Sequence, residues 1–406
     1  MPAVPTPGLA QLLARFQGQY TPSTWRYLTT DMITGRLLGD WLPLTVQNFS
    51  RQINTAGPFT GSLNLISTNG AQNAASRQAI LPRRSVLWAF QDNVPVWNGP
   101  IWDWQPTSVL DSTVQFSAAS MESILQHRVV DQTFNFTNAD VFDMFRALVQ
   151  FAFSKQPNGF VAGVTYSAAM SGITDTLTFD GTQYQYVSDA ISTLVTNYEI
   201  EYSFRPYADA QGNLYTSVDL GYPALGLPLA QSRLAFSLPG NLIDYQFVAT
   251  GSSSANKVIA TGAVSDGAGS YVEGVFVPDY YVGTAIDEGD IAAGYPLSET
   301  VVQPQGAIYN SDQQMTNYAG GYLPSVTDTQ LTPILVLAPG ALPQVKDIIL
   351  GSYADVALTS PMHPAGPGNT PGFADVGRVT GFTAYPPGDG QTEYAWVSMG
   401  GMALVP

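Results

Sequence analysis

Short runs with period-two spacing, closed off by Gly, Pro and Asn turns, dominate both ends of this 406-residue chain. Such runs fold as strands whose alternate side chains face a core, and close-set turns make neighbouring strands antiparallel. The pattern starts at Trp25. Tyr27 to Asp31 leads through Thr34-Gly35 into Leu37 to Leu44, and Val46 to Ile53 leads through Ala56 to Phe59 into Thr60 to Ile66. Ser67 to Arg77, rich in Asn, Ala and Ser, reads as a linker. Ser85 to Trp104 carries two strands around Asp92-Asn93, and Val109 to Ala119 adds another. Residues 21–120 therefore read as a small antiparallel β-barrel.

A different period governs the middle. Gly8 to Phe16 already shows helical spacing of Leu9, Leu12, Leu13 and Phe16 behind a Pro-rich start, so residues 1–20 read as an arm with a short helix. Ser120 to Val129 reads as a helix capped by Ser120. Asn138 to Phe153 reads as a second, capped by Asn138, and Gln183 to Tyr198 as a third. Ile200 to Arg205 and Leu214 to Leu220 form a hairpin around Asp209 to Asn213. Residues 121–235 are thus expected to be α+β. Residues 236–406 return to strands: a hairpin through Asp266-Gly267, a part-helical or irregular stretch over 286–320, a strand in Ile348 to Leu358, and a terminal hairpin of Arg378 to Tyr385 with Glu393 to Met399. They read as a second barrel with a C-terminal β region. The barrels are expected to be discontinuous if late strands complete the first. The fold class is mainly β, with two antiparallel barrels and an α+β insertion.

Charged residues are only 11% of the chain while 45% are hydrophobic. So sparse a charge leaves a surface covered by small polar residues or by other subunits. The net charge of −16 opposes phosphate-backbone binding, which needs clustered Lys and Arg. After Lys257 the only basic residues are Lys346 and Arg378, so the C-terminal part is strongly acidic. Met1 to Leu9 has no basic or apolar signal region, and no apolar run reaches the roughly 20 residues of a membrane span.

Chemistry is sparse. No cysteine exists, which removes disulfides, thiolate zinc sites and thiol nucleophiles. His127 and His363 carry no triad or zinc motif. Gly267 to Gly269 lacks the remainder of a dinucleotide fingerprint. Asp209 to Asn213 hints at a calcium loop but has Leu220 at the twelfth position, where the ligand glutamate belongs. Asp287, Glu288 and Asp290 form the densest acidic cluster, either a weak cation loop or a solvated turn. Trp88, Trp97, Trp102 and Trp104 form an aromatic cluster suited to a core, a subunit contact or a sugar platform. No catalytic residue and no cofactor is expected.

Several stretches taken together point to a family. They are Trp25 to Leu28, Asp31 to Gly35, Leu42-Pro43, Ser50 to Gly57, Leu63 to Leu65, Val86 to Trp88, Val96 to Gly99 and Ile101-Trp102. Further on come Ser123 to Leu125, Arg128, Asp143 to Leu148, Gly240-Asn241 and Ser252 to Gly262. This order, over about residues 20–265, resembles minor tail proteins of long-tailed (siphovirus) phages of actinobacteria, which are similar to baseplate hub, or tail-tip hub, proteins. The resemblance implies two tail-tube-like barrels separated by an α/β insertion, and a homotrimer whose six barrels match a six-fold tube. It implies a structural virion protein, not an enzyme, made in the host cytoplasm and placed at the tail tip. There it would close the distal tube, anchor fibres or a spike and open for DNA ejection. The implied partners are a distal tail protein, the tape-measure protein, and other minor tail proteins or fibres. An acidic lumen would then limit sticking of DNA. Two other readings stay open: a receptor- or glycan-binding tail protein using the Trp cluster or the acidic C-terminal part, and a cell-wall hydrolase using a carboxylate pair.

Overall fold

The computed structural model describes residues 21–65, 70–106, 113–159, 163–251, 254–263, 269–272, 275–278, 280–303, 311–323, 326–327, 330–388 and 392–400. Strands β1 (Trp25–Asp31) and β2 (Leu37–Gly39) flank the Thr34-Gly35 turn. β3 (Leu44–Gln52) and β4 (Pro58–Asn64) precede helix α1 (Gly70–Ala79). β5 (Ser85–Gln91) and β6 (Val94–Pro106) are joined by Asp92-Asn93, both at positive φ, the turn that matches the twist of a tight hairpin. β7 (Thr113–Ala119) runs back along β6. A 3₁₀ helix (Met121–His127) leads to β8 (Phe134–Asp140), α2 (Val141–Ser154), β9 (Val164–Tyr166) and β10 (Thr174–Phe179). Next come α3 (Val187–Tyr198), β11 (Glu201–Ala208), β12 (Leu214–Gly221), β13 (Leu234–Leu238) and β14 (Leu242–Thr250). β15 (Lys257–Ala263), β16 (Gly269–Val272), β17 (Val275–Pro278), β18 (Tyr280–Ile286), α4 (Glu288–Ala292), β19 (Glu299–Val302) and α5 (Asp312–Tyr322) follow. β20 (Gln330–Leu337), β21 (Tyr353–Leu358), β22 (Phe373–Tyr385) and β23 (Tyr394–Gly400) close the chain.

The chain divides into two compact units, Met1–Gln246 with Ile334–Gly400, and Phe247–Pro333 with Gly401–Pro406. The first unit is built on a thirteen-stranded sheet. Its order is β14-β20-β23-β22-β3-β4-β7-β6-β5-β1-β2, and β13 and β21 branch from β22. Phe49 and Phe59 stack at 5.7 Å, Phe59 meets Trp97 at 4.9 Å, and Phe382 from the C-terminal hairpin packs edge-on to Phe49. A second core gathers Phe142, Phe145, Leu148 and Phe153 of α2 with Ile191 and Leu194 of α3 and Phe204 and Val218 of β11 and β12. The helical period of 139–153 and 187–195 is what puts these residues on one face.

The chain is mainly β, with helices inserted as expected, but no sheet among the described residues closes into a barrel. The reason is register. Gly381 to Ala384 pair with Phe49 to Gln52, so strands from both chain ends join one open sheet instead of each closing on itself. Residues 67–77, read as a linker, mostly belong to α1. Its Ala74, Ala75 and Ala79 favour helix without an apolar stripe to announce it. The cap of α2 is Asp140, not Asn138: its carboxylate accepts from the N–H groups of Phe142, Ser171 and Gly172 at 2.8–3.1 Å. Ser120 precedes a 3₁₀ helix and its hydroxyl accepts from Gly57 N–H instead. Residues 1–20 and the 264–268 turn lie outside the described residues.

In the second unit, β15 lies between β18 and β19. Helix α5 covers one face of that sheet through Met315 and Ala319, which pack on Val258 and Ala260. Gly283 lets the helix come this close: a Cβ there would lie 2.0 Å from Thr316 N and 2.1 Å from Met315 C.

Candidate functional site

In the first unit, β1 and β5 turn Leu28, Val86, Trp88 and Phe90 toward a groove of about 750 Å³. β9 and β12 supply Val164, Leu214 and Thr216, and Arg26, Asp31, Asn93 and Asn213 are among the polar residues that line it. Trp88 Nε1 is committed to Thr30 Oγ1 at 3.0 Å. Asp31 is committed as well: it accepts from Thr34 and Ile33 N–H and from Arg84. Burial would raise its pKa, but these hydrogen bonds hold it below the usual carboxylate range. The groove thus offers apolar surface and occupied polar groups, which suits holding a chain segment better than acid–base work.

Beside the groove, the sheet is pinned to the α+β insertion by polar contacts. Asn98 donates to Thr216 Oγ1 at 2.8 Å. The next residue, Gly99, lets Ala119 approach; a Cβ there would lie 2.0 Å from Ala119 O. Arg51 is buried and donates from Nη2 to Ser203 Oγ at 2.9 Å, while its Nε makes no hydrogen bond. Burial pushes its pKa down to about 10, against the pull of Glu122 and Asp219. Glu122 is also buried; its Oε1 accepts from Phe204 N–H at 3.0 Å and its Oε2 accepts no hydrogen bond. Burial raises its pKa, only partly offset by hydrogen bonds from Ser120 and backbone N–H groups and by Arg51.

Both late cations fasten the C-terminal part of the chain to earlier parts. Arg378 on β22 pairs with Glu201 on β11, and Lys346 pairs with Asp92 of the β5–β6 turn. Glu393, at the start of β23, accepts from Ser23 N–H at 3.0 Å, Ser23 Oγ at 2.9 Å and Trp25 Nε1 at 2.6 Å. Arg51, Glu122 and Glu393 escaped the reading of the sequence. For Arg51 a signal existed, because it stands two residues beyond Phe49, in phase with the apolar face of β3.

The tryptophans do not share an exposed face. Trp97 is fully buried among Phe49 and Phe59, with Nε1 donating to Ser50 O. Trp88, on β5, is buried between the sheet and the core of the insertion, beside the groove. Trp102 lies against His127 with ring centroids 4.1 Å apart and donates to Ser123 Oγ. Trp104 is 37% exposed. In the second unit, Asp287 caps α4 by accepting from Gly289 and Asp290 N–H at 2.8 and 3.1 Å, with Glu288 and Asp290 in the first turn. Among the described residues no three His, Cys, Asp or Glu side chains gather to hold a metal ion. Asp209 folds its own turn, accepting from Gln211 and Asn213. Among those residues, no helix is long and apolar enough to cross a membrane.

No protein-family model matches the chain. No curated protein matches it either. Solved structures do. A tail protein from Neisseria meningitidis MC58 superposes with a TM-score of 0.56 at 11% identity, over 92% of this chain and 96% of its own. The 43 kDa tail protein of prophage MuSo2 from Shewanella oneidensis gives 0.57 at 11% identity, over 93% and 98%. Prophage tail protein gp18 from Listeria monocytogenes EGD-e gives 0.52 at 11% identity, over 94% and 95%. At that identity the likeness is one of fold, and it spans nearly the whole of each chain.

Proposed function

We propose that this chain is a structural protein of a phage tail, a hub-type minor tail protein at the tail tip of the virion. The observation that carries the proposal is the fold it shares, over more than nine-tenths of its length, with tail proteins from three different bacteria. The sheet supports it from within: strands from both chain ends build one framework, Lys346 ties the late chain to the β5–β6 turn, and Arg378 ties β22 to the α+β insertion. In this reading residues 21–120 and 236–406 supply the tube-like parts and residues 121–235 the insertion between them. Three copies assemble into a ring that closes the distal tube, meets the distal tail and tape-measure proteins, carries fibres or a spike, and opens for DNA ejection. The role is one of assembly rather than catalysis, and the net charge of −16 keeps the passing DNA from adhering to the ring.

Native mass measurement on purified protein, paired with antibody labelling of intact virions, tests this. Three chains per particle and label confined to the tail tip are expected. A protein that stays monomeric at every concentration, or label absent from virions, would sink the proposal.

A further inference from the structure

The three-stranded sheet of the second unit has one covered and one open face. Period-two alternation sends Val258, Ala260, Tyr281 and Ala285 toward α5. The opposite face carries Ile259, Tyr280, Val282, Ile286 and Val301, and the last four are 42–62% exposed. Register makes them contiguous: Ile259 stands opposite Thr284 on one side and Val301 on the other, and Lys257 stands between Ile286 and Glu299.

We propose that this face is a self-association surface, buried against the same unit of neighbouring copies of the chain. The proposal rests on the assembly reading above and names where copies touch.

Two observations select a second copy as the occupant. The first is area. At these exposures the four residues leave on the order of 400 Å² of mostly apolar surface in water, a patch size that marks a contact on a soluble protein. A standard interface buries about 800 Å² per partner, of which a little over half, roughly 450 Å², is non-polar. The sheet face supplies most of that share by itself.

The second is charge. Residues 247–333 hold nine acidic residues and one basic residue, Lys257, a formal −8. A foreign partner suited to so acidic a unit would bring basic groups, and an anionic lipid surface would be repelled. On this face the charge is cancelled, because Lys257 Nζ pairs with Glu299 at 2.6 Å. Like-charged copies can therefore meet here with least repulsion, and about the three-fold axis of the ring each copy packs the β-branched and aromatic side chains of this face against those of its neighbours.

The chain has no cysteine, so single-cysteine variants report cleanly. Val301→Cys stands on the open face. Met170→Cys, 60% exposed in the first unit, serves as the reference. In the assembled protein, Val301→Cys is expected to react with a bulky maleimide at least tenfold more slowly than Met170→Cys. It should also be joined into covalent dimers by a short bis-maleimide, one thiol from each of two chains. Raising salt to about 0.5 M should strengthen the wild-type assembly, since screening relieves like-charge repulsion. If native mass shows an assembly while both cysteines react at one rate and no covalent dimers form, the face is overturned and the assembly reading stands. A wild-type chain that is monomeric throughout overturns both.

Discussion

At the scale of single residues, buried charge is where stability should answer to pH. Glu122 has a folded pKa above its unfolded value, which lies near ~4.3. The folded state therefore holds this proton more tightly, and stability falls as pH rises from the unfolded value through the folded one. Glu122→Gln should flatten that slope in urea unfolding measured at successive pH values; an unchanged slope would show that Glu122 is not its source. Glu393 is a different case, a carboxylate whose oxygens accept three hydrogen bonds from Ser23 and Trp25. Glu393→Ala strands those donors and should cost about 3 kcal/mol in the same assay. Neither residue was legible beforehand. Glu122 lies 82 positions from Phe204, and Glu393 lies 370 from Ser23. Local pattern carries no record of pairings so distant.

At the scale of elements, periodicity was the readable signal. The heptad-like spacing of Val141, Phe145 and Leu148 marked α2, and Asp209 to Asn213 marked the β11–β12 hairpin. The caps were harder, because Asn138, Asp140 and Asp143 are all plausible cap types and only the partner loop 171–172 selects Asp140. Asp140→Ala should destabilise by about 1–2 kcal/mol and raise hydrogen exchange in the first turn of α2. Gly283→Ala tests packing instead. Its Cβ meets helix backbone, which cannot swing away as a side chain could, so α5 must shift. A loss of about 1–3 kcal/mol is expected, with exchange rising in β15, β18 and α5 and unchanged in α2. Helix α1 was invisible because alanine promotes helix without leaving a stripe.

At the scale of the molecule, the β-rich class and the inserted helices could be read, and the sheet's closure could not. Alternation says which side chains face a core, yet it is silent on whether β22 returns to its own neighbours or crosses to β3. Phe382 against Phe49 settles that choice, through a contact between residues more than 300 positions apart. Cutting the tie between β22 and the insertion should therefore loosen both ends together. Arg378→Ala, leaving Glu201 partly buried without its partner, is expected to cost about 2–4 kcal/mol while unfolding of the first unit stays a single transition.

The second unit leaves the main sheet from β14 and its chain re-enters at β20, which are hydrogen-bonded neighbours. An excursion that starts and ends on adjacent strands imposes no register on the remaining ones. Lineages could therefore trade, shorten or re-face this cassette while the framework is inherited intact, and an engineer could graft at the same two points.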